Sequence, residues 1–170
     1  SFHDKPELLE EILEQHGDGI DFLQLQVNYS DWDEPSVQSR RCLELARRYG
    51  KPVVVMEPCK GGALINLPDQ AAALLQQEGN GGSGAAWGLR LAASQDGVGV
   101  VLSGMNSLEQ LTDNLSVFSP FRPLDQREEE LILQVGKLVN ASTAVACTGC
   151  GYCTHGCPMH IPIPQFLSLY

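Results

Sequence analysis

Short apolar runs of strand length alternate along this chain with amphipathic segments of helical length. In residues 20–28, Phe22 and the polar Gln24, Gln26 and Asn28 point to one face, and Leu23, Leu25 and Val27 point to the other, which predicts a strand with one polar face. Residues 52–57 and 98–102 are continuous apolar runs, typical of buried parallel strands. Helices are predicted over 6–16, 35–49, 68–78, 85–94, 107–117 and 124–139, with Ser107 and Asp125 at two N-termini. This alternation predicts a parallel α/β fold.

Three strands are too few to close such a fold. A three-stranded parallel sheet would leave its edges unpaired and one face uncovered. We therefore expect part of a barrel, and we expect the exposed apolar edge of the first predicted strand to cause self-association, with two half-barrels covering each other.

The charge balance narrows the classes of partner. The chain has 11 basic and 21 acidic residues, a formal net charge of −10. This excess of negative charge argues against binding to nucleic acid or to an anionic membrane surface. No apolar run approaches the ~20 residues of a membrane span, and no signal peptide is visible.

Four cysteines lie within eleven residues near the C-terminus, namely Cys147, Cys150, Cys153 and Cys157, with Pro158 directly after them. The spacing C-x2-C-x2-C-x3-C-P is that of bacterial-type ferredoxins, so these cysteines are predicted to ligate a 4Fe–4S cluster. Zinc is the weaker alternative, because two Cys pairs with a longer separation are usual, and disulfides are disfavoured by the crowding. Cluster ligands need reduced thiols, which predicts a cytoplasmic location.

The cluster motif also indicates whether the chain is a whole protein or a fragment. In two-cluster ferredoxins the fourth cysteine of such a run ligates the other cluster, which requires a second cysteine run. The sequence has only Cys42 and Cys59 besides the motif, starts without Met and ends 13 residues after Cys157. We therefore interpret the chain as a fragment of a longer protein.

Two segments at the ends of predicted strands could bind a ligand. MEPCKGGAL (56–64) follows the second strand, where ligands bind in parallel α/β folds, and Lys60 could meet an anion there. LSGMNSLEQLTDNL (102–115) follows the third strand and opens a helix, whose free amides favour phosphate. A plain strand-to-helix turn remains the alternative for each, and Cys59 is more simply a small apolar filler than a reactive thiol.

Several segments together resemble the second half of an aldo/keto reductase: SFHD, LQLQVNY, VVVMEPCKGGAL and VLSGMNSLEQLTDNL. The cysteine run followed by HIPIP is similar to the C-terminal extension of a subgroup with ferredoxin-type 4Fe–4S clusters. The resemblance implies a partial (β/α)8 TIM barrel, roughly strands five to eight, followed by a small ferredoxin-like cysteine-rich segment. The implied organisation is a half-barrel (1–123), a helix and linker (124–146) and the start of the cluster domain (147–170).

By this resemblance, residues 1–4 end the fifth strand, and 21–28, 52–57 and 98–103 are the sixth to eighth. The family's catalytic Asp, Tyr, Lys and His belong to the first half, so no catalytic residue is assigned. The chain would instead help to bind a nicotinamide cofactor, NAD or NADP, through these positions: Ser1, Gln24, Met56, Lys60, Gly62, Ser103, Gly104 and Asn114. Phe2, Met56, Gly104 and Gln110 depart from the family's usual residues, and the last two weaken the expectation of an NADP preference.

The expected function is therefore that of a fragment of an iron–sulfur aldo/keto reductase-like oxidoreductase. Electrons would pass between a nicotinamide or small carbonyl substrate and the clusters, and the fragment alone would be inactive. The alternative is a non-catalytic module, in which the cluster only transfers electrons to a docked redox partner or supports the structure.

Overall fold

The structure is a computed structural model and describes residues 1–77, 82–143, 145, 147, 151–167 and 169. Its strands are β1 (Leu23–Gln26), β2 (Val53–Met56) and β3 (Val98–Val101). The helices are α1 (Pro6–His16), α2 (Ser39–Arg48), α3 (Asp69–Gln76), α4 (Gly84–Ser94), α5 (Leu108–Phe118), α6 (Gln126–Ser142), α7 (Tyr152–His155) and α8 (Ile163–Leu167). Single 3-10 turns cover Gly17–Gly19 and Lys60–Gly62. No helix in these described ranges is long and apolar enough to cross a membrane.

The strands form one parallel sheet in the order β1-β2-β3, which confirms the predicted α/β class. Gln24 lies opposite Val54, and Val54 lies opposite Val100, so these three side chains share one face. Phe2 forms an isolated parallel bridge with Leu25, and its N–H donates to the Gln24 carbonyl at 2.9 Å. The N-terminal residues therefore lie beside β1, where the end of a preceding strand was expected.

The prediction that β3 is a buried strand is wrong. Val100 is 50% exposed and Leu102 is 44% exposed, because β3 is an edge strand with no partner on its outer side among the described residues. The bare edge also differs from the expected one, since Phe2 partly covers β1 while β3 stays open. Apolar sequence alone cannot indicate whether a neighbouring strand is present.

The core lies between the opposite face of the sheet and the helices. Leu25, Val27 and Val55 contribute the strand side, and Ile132 and Val135 of α6 belong to the same buried cluster. α6 crosses the backbone after β1 very closely: a Cβ added to Gly136 would lie 2.1 Å from the Tyr29 carbonyl oxygen. The helix that precedes the cysteine segment is therefore packed at the carboxyl end of β1.

Candidate functional site

A cleft of about 660 Å3 opens beyond the carboxyl ends of β2 and β3. Its walls are the loop after β2, the loop after β3, the start of α4 and one side of α5. The carboxyl ends of parallel strands are the usual ligand-binding edge of an α/β sheet, because the strand-to-helix loops meet there. The cleft is therefore the candidate site.

Five of the eight positions proposed for cofactor binding line this cleft, namely Met56, Gly62, Ser103, Gly104 and Asn114. Gln24 lies just behind it, since its Nε2 is 3.6 Å from the Met56 sulfur. Ser1 is exposed at the chain start, and Lys60 contacts Asp31 and Ser30 instead. The structure thus brings five of the positions together and leaves Ser1, Gln24 and Lys60 outside the lining.

The loop after β3 is held by side chains of α5. Asn114 is buried and its amide donates to Ser103 Oγ at 3.0 Å. Ser107 caps the helix by accepting from the Gln110 N–H, as predicted, and the Gln110 side chain accepts from the Asn106 N–H at 2.9 Å. These bonds fix the loop in one conformation beside the cleft.

Among the described residues, the charged side chains that line the cleft are Glu57 and Asp113, and both are acidic. Asp113 also accepts a 2.6 Å hydrogen bond from Ser83, the N-cap of α4, and so ties two walls of the cleft together. Sequence reasoning missed Asp113 because only tertiary packing brings α5 against the start of α4. No lysine, arginine or histidine of the described part of the chain lines the cleft.

Cys59 lines the cleft and is half-buried. Burial raises the pKa of the Cys59 thiol, and the nearby Glu57 carboxylate raises it further. The thiol therefore stays protonated at neutral pH, which fits a packing role better than that of a nucleophile.

Lys60 is paired with a buried carboxylate. Its Nζ donates to Asp31 Oδ1 at 2.6 Å and to Ser30 Oγ at 3.0 Å, and the Lys60 and Asp31 side chains are 17% and 2% exposed. The ammonium is therefore engaged with the loop after β1 instead of facing the cleft.

The other oxygen of Asp31 accepts from two amides of the predicted polar face. Gln26 Nε2 and Asn28 Nδ2 each lie 2.6 Å from Asp31 Oδ2. Asn28 Oδ1 in turn accepts from the Ser30 and Asp31 backbone N–H groups. Sequence reasoning missed Asp31, although the short spacing from Asn28 to Asp31 is typical of an Asx turn and could have indicated it.

The cysteine segment lies apart from the cleft loops in sequence. Cys147 and Cys153 are exposed free thiols, Cys157 is a half-buried one, and Cys150 lies outside the described residues. Cys153 is carried by the single-turn helix α7, which follows Gly151 in the left-handed conformation (φ +78°). Within the described ranges, no group of three His, Cys, Asp or Glu side chains is close enough to hold a metal ion.

The fold is shared with solved structures, of which two are representative. One, named as a 2,5-diketo-D-gluconic acid reductase B, has a TM-score of 0.59 and 18% identity over 78% of this chain and 43% of its own. The other, the apo form of Gox0644, has a TM-score of 0.57 and 19% identity over 77% of this chain and 44% of its own. The chain therefore spans less than half the length of these structures. A search of curated proteins finds no match.

A family model gives the more specific result. The model described as the aldo/keto reductase family matches residues 1–136, which include all three strands, the cleft and most of α6. The cysteine segment lies beyond the matched residues. The match and the parallel sheet agree with the resemblance of the strand and loop segments, and the chain belongs to the aldo/keto reductase family.

Proposed function

We propose that the chain is part of an oxidoreductase that binds a nicotinamide dinucleotide in the cleft and an iron–sulfur cluster at the cysteine segment. The observation that carries the proposal is the convergence of Met56, Gly62, Ser103, Gly104 and Asn114 in one cleft at the carboxyl edge of the sheet. These positions come from two separate loops and a helix, and the family resemblance assigns all of them to the cofactor.

The cleft has properties that suit a dinucleotide. Its volume of about 660 Å3 is within the range of roughly 300–1,000 Å3 typical of small-molecule sites. Gly104 has open space where a side chain would project, which allows close approach of a ligand to the backbone. Ser103 and Asn114 supply polar groups at the same wall.

The charge of the cleft favours NAD over NADP. A 2′-phosphate would carry negative charge into a site whose charged side chains are Glu57 and Asp113, and close like charges repel. Lys60, the nearest candidate counter-charge in sequence, is paired with Asp31. We therefore expect the ribose 2′-hydroxyl of NAD to be tolerated and the 2′-phosphate of NADP to be disfavoured.

The iron–sulfur part of the proposal rests on the cysteine spacing, since the described cysteine side chains do not converge on a metal site. Cys147, Cys153 and Cys157 are free thiols with at least partial access to solvent, and the spacing that includes Cys150 is that of ferredoxins. When bound, such a cluster supplies one-electron chemistry, whereas a nicotinamide carries a two-electron hydride. Cys147, Cys150 and Cys153 would hold this cluster as thiolates, and Cys157 would ligate a second one. Thiolate ligands would require a reducing compartment such as the cytoplasm.

A non-catalytic role is the second candidate. Tyr29 follows the cleft-side end of β1, yet its hydroxyl is buried and donates to the Leu64 carbonyl at 3.0 Å. Burial raises its pKa above the ordinary value, so it is poorly placed to deliver a proton to a substrate. This observation agrees with our proposal that the chain alone does not reduce carbonyl substrates. A small carbonyl substrate would bind to the larger protein, or a redox partner would dock on it.

The test is a titration of the chain with NADH and NADPH, followed by nicotinamide fluorescence. Gly104→Trp places a large side chain in the cleft and is expected to abolish binding, since the Cβ has open space and the fold should tolerate it. Gly19→Trp is the matched control, because Gly19 also has open space but precedes β1 at the opposite edge of the sheet. Binding of NADH that survives Gly104→Trp, or is lost equally in both variants, contradicts the assignment of the cleft.

A further inference from the structure

A buried polar network joins the end of β1 and the loop after it to two neighbours, the loop after β2 and the helix α6. Its centre is Asp31, whose side chain is 2% exposed and accepts from Lys60, Gln26 and Asn28. A buried carboxylate is costly unless it is paired and hydrogen-bonded, and here both oxygens are satisfied. Such an arrangement holds its donors firmly, because moving any one of them would leave part of a buried charge without a hydrogen bond, which costs free energy.

One arm of the network holds the loop that lines the cleft. Glu57, Lys60, Gly61 and Gly62 all have positive φ, which is unfavourable for the two residues with side chains. The loop persists because Asn28 Nδ2 donates to the Glu57 carbonyl at 3.1 Å while the Lys60 ammonium is bound to the loop after β1. The shape of this cleft wall therefore depends on contacts made behind it.

A second arm reaches the last turn of α6. Ser30 Oγ accepts from Lys60 and donates to Asn140 Oδ1 at 2.5 Å, and Asn140 Nδ2 donates to the Ser30 carbonyl at 2.7 Å. α6 ends at Ser142, and Cys147 follows five residues later. The same serine thus contacts the lysine of the cleft loop and the helix that leads to the cysteine segment.

We propose that Lys60 and Asn140 are positioning residues: through Asp31 and Ser30 they fix the cleft loop Glu57–Gly62 and the last turn of α6 relative to one another. Lys60 then acts on a cleft ligand by holding the loop, without touching the ligand. Asn140 sets the point from which the cysteine segment departs. The inference depends on the proposed function only where nucleotide binding is the readout.

A pair of substitutions and their combination separate positioning from direct contact. Lys60→Met and Asp31→Asn each leave one buried partner unsatisfied, whereas the double variant removes both charges. Each single variant is expected to weaken NADH binding and to speed backbone hydrogen exchange in residues 57–66, each by about tenfold. In the double variant, both NADH affinity and the exchange rate of residues 57–66 are expected to return most of the way to those of the unmodified chain. Loss of NADH binding in Lys60→Met with unchanged exchange, and no recovery in the double variant, would instead show that Lys60 contacts the nucleotide.

Asn140→Ala tests the second arm. It should perturb the fold little, because Asn140 lies at the surface of α6. It is expected to speed exchange about fivefold both in residues 138–143 and in residues 57–62. Ser142→Ala is the matched control, since its hydroxyl donates to the Val139 carbonyl within the same helix and has no bond to Ser30. Faster exchange confined to α6 would overturn the coupling between the helix and the loop.

Failure of the proposed nucleotide site can be distinguished from failure of the positioning role. If the unmodified chain does not bind NADH, the proposed function of the cleft fails, but hydrogen exchange in the same variants still decides whether Lys60 and Asn140 hold the loop. If NADH binds and exchange in residues 57–62 is the same in all variants, the positioning role fails while the nucleotide site stands.

Discussion

Replacing Gly136 by alanine tests the docking of α6 on the sheet. The added Cβ would lie 2.1 Å from the Tyr29 carbonyl oxygen and 2.7 Å from its carbonyl carbon, whereas ordinary contacts begin at 3.4 Å. The obstacle is backbone, which cannot rotate away as a flexible side chain can. The helix must therefore recede by about 1.3 Å, the difference between 3.4 and 2.1 Å.

The expected free-energy change follows from three contributions. Overpacking of this kind costs about 1–3 kcal/mol. The recession also stretches the two Asn140–Ser30 hydrogen bonds, each contributing about 1 kcal/mol, while alanine gains about 1 kcal/mol of helix propensity over glycine. We therefore expect Gly136→Ala to lower the free energy of unfolding by about 2–4 kcal/mol.

Urea unfolding followed by tryptophan fluorescence measures this change, because Trp32 and Trp87 are 6% and 2% exposed and report on the core. Gln134→Ala, on the exposed side of the same helix, is the control and should stay within about 0.5 kcal/mol of the unmodified chain. If Gly136→Ala is as stable as the parent, or gains the ~1 kcal/mol of helix propensity alone, α6 does not pack on Tyr29 as described.

Three further expectations concern α6 and the open sheet. Asp125→Ala removes the capping box of α6 and should cost about 1 kcal/mol in urea unfolding. For Glu128, burial raises the pKa, but the Asp125 N–H and Arg90 outweigh it and hold the pKa below the ordinary 4.5. The ionised Glu128 therefore adds to the free energy of unfolding above pH 4.5, and this stabilisation is lost as the pH falls through the lowered pKa. Glu128→Gln should make the free energy of unfolding less dependent on pH in this range. Val100 and Leu108 are 50% and 77% exposed, so we expect light scattering to show self-association, and a monodisperse 18.5 kDa monomer would contradict that.

Local sequence signals predicted the elements well where the cause is local. Pro6 and the apolar spacing after it predicted α1 with its observed bounds, and Ser107 and Asp125 cap the helices assigned to them. α2 was predicted to begin at residue 35 but begins at Ser39, because residues 34–38 form a turn that ends with Gln38 at φ +52°.

Interactions between distant residues were the part that sequence could not predict. Lys60 was expected to meet an anionic ligand, yet it pairs with Asp31, 29 residues earlier, because two strand-to-helix loops meet at one edge of the sheet. The exposure of Val100 has the same kind of cause, since it depends on the absence of a strand beside β3 in the described part of the chain. Residue type and spacing carry neither piece of information.

Anaerobic reconstitution with iron and sulfide tests whether the cysteine segment binds a cluster. The metal content and EPR spectrum are measured on the chain and on a variant with serine at Cys147, Cys150, Cys153 and Cys157. We expect bound iron and sulfide and the EPR signal of a reduced cluster in the chain, and neither in the variant. No bound iron together with tight zinc binding would contradict the electron-transfer function and leave a structural metal site in its place.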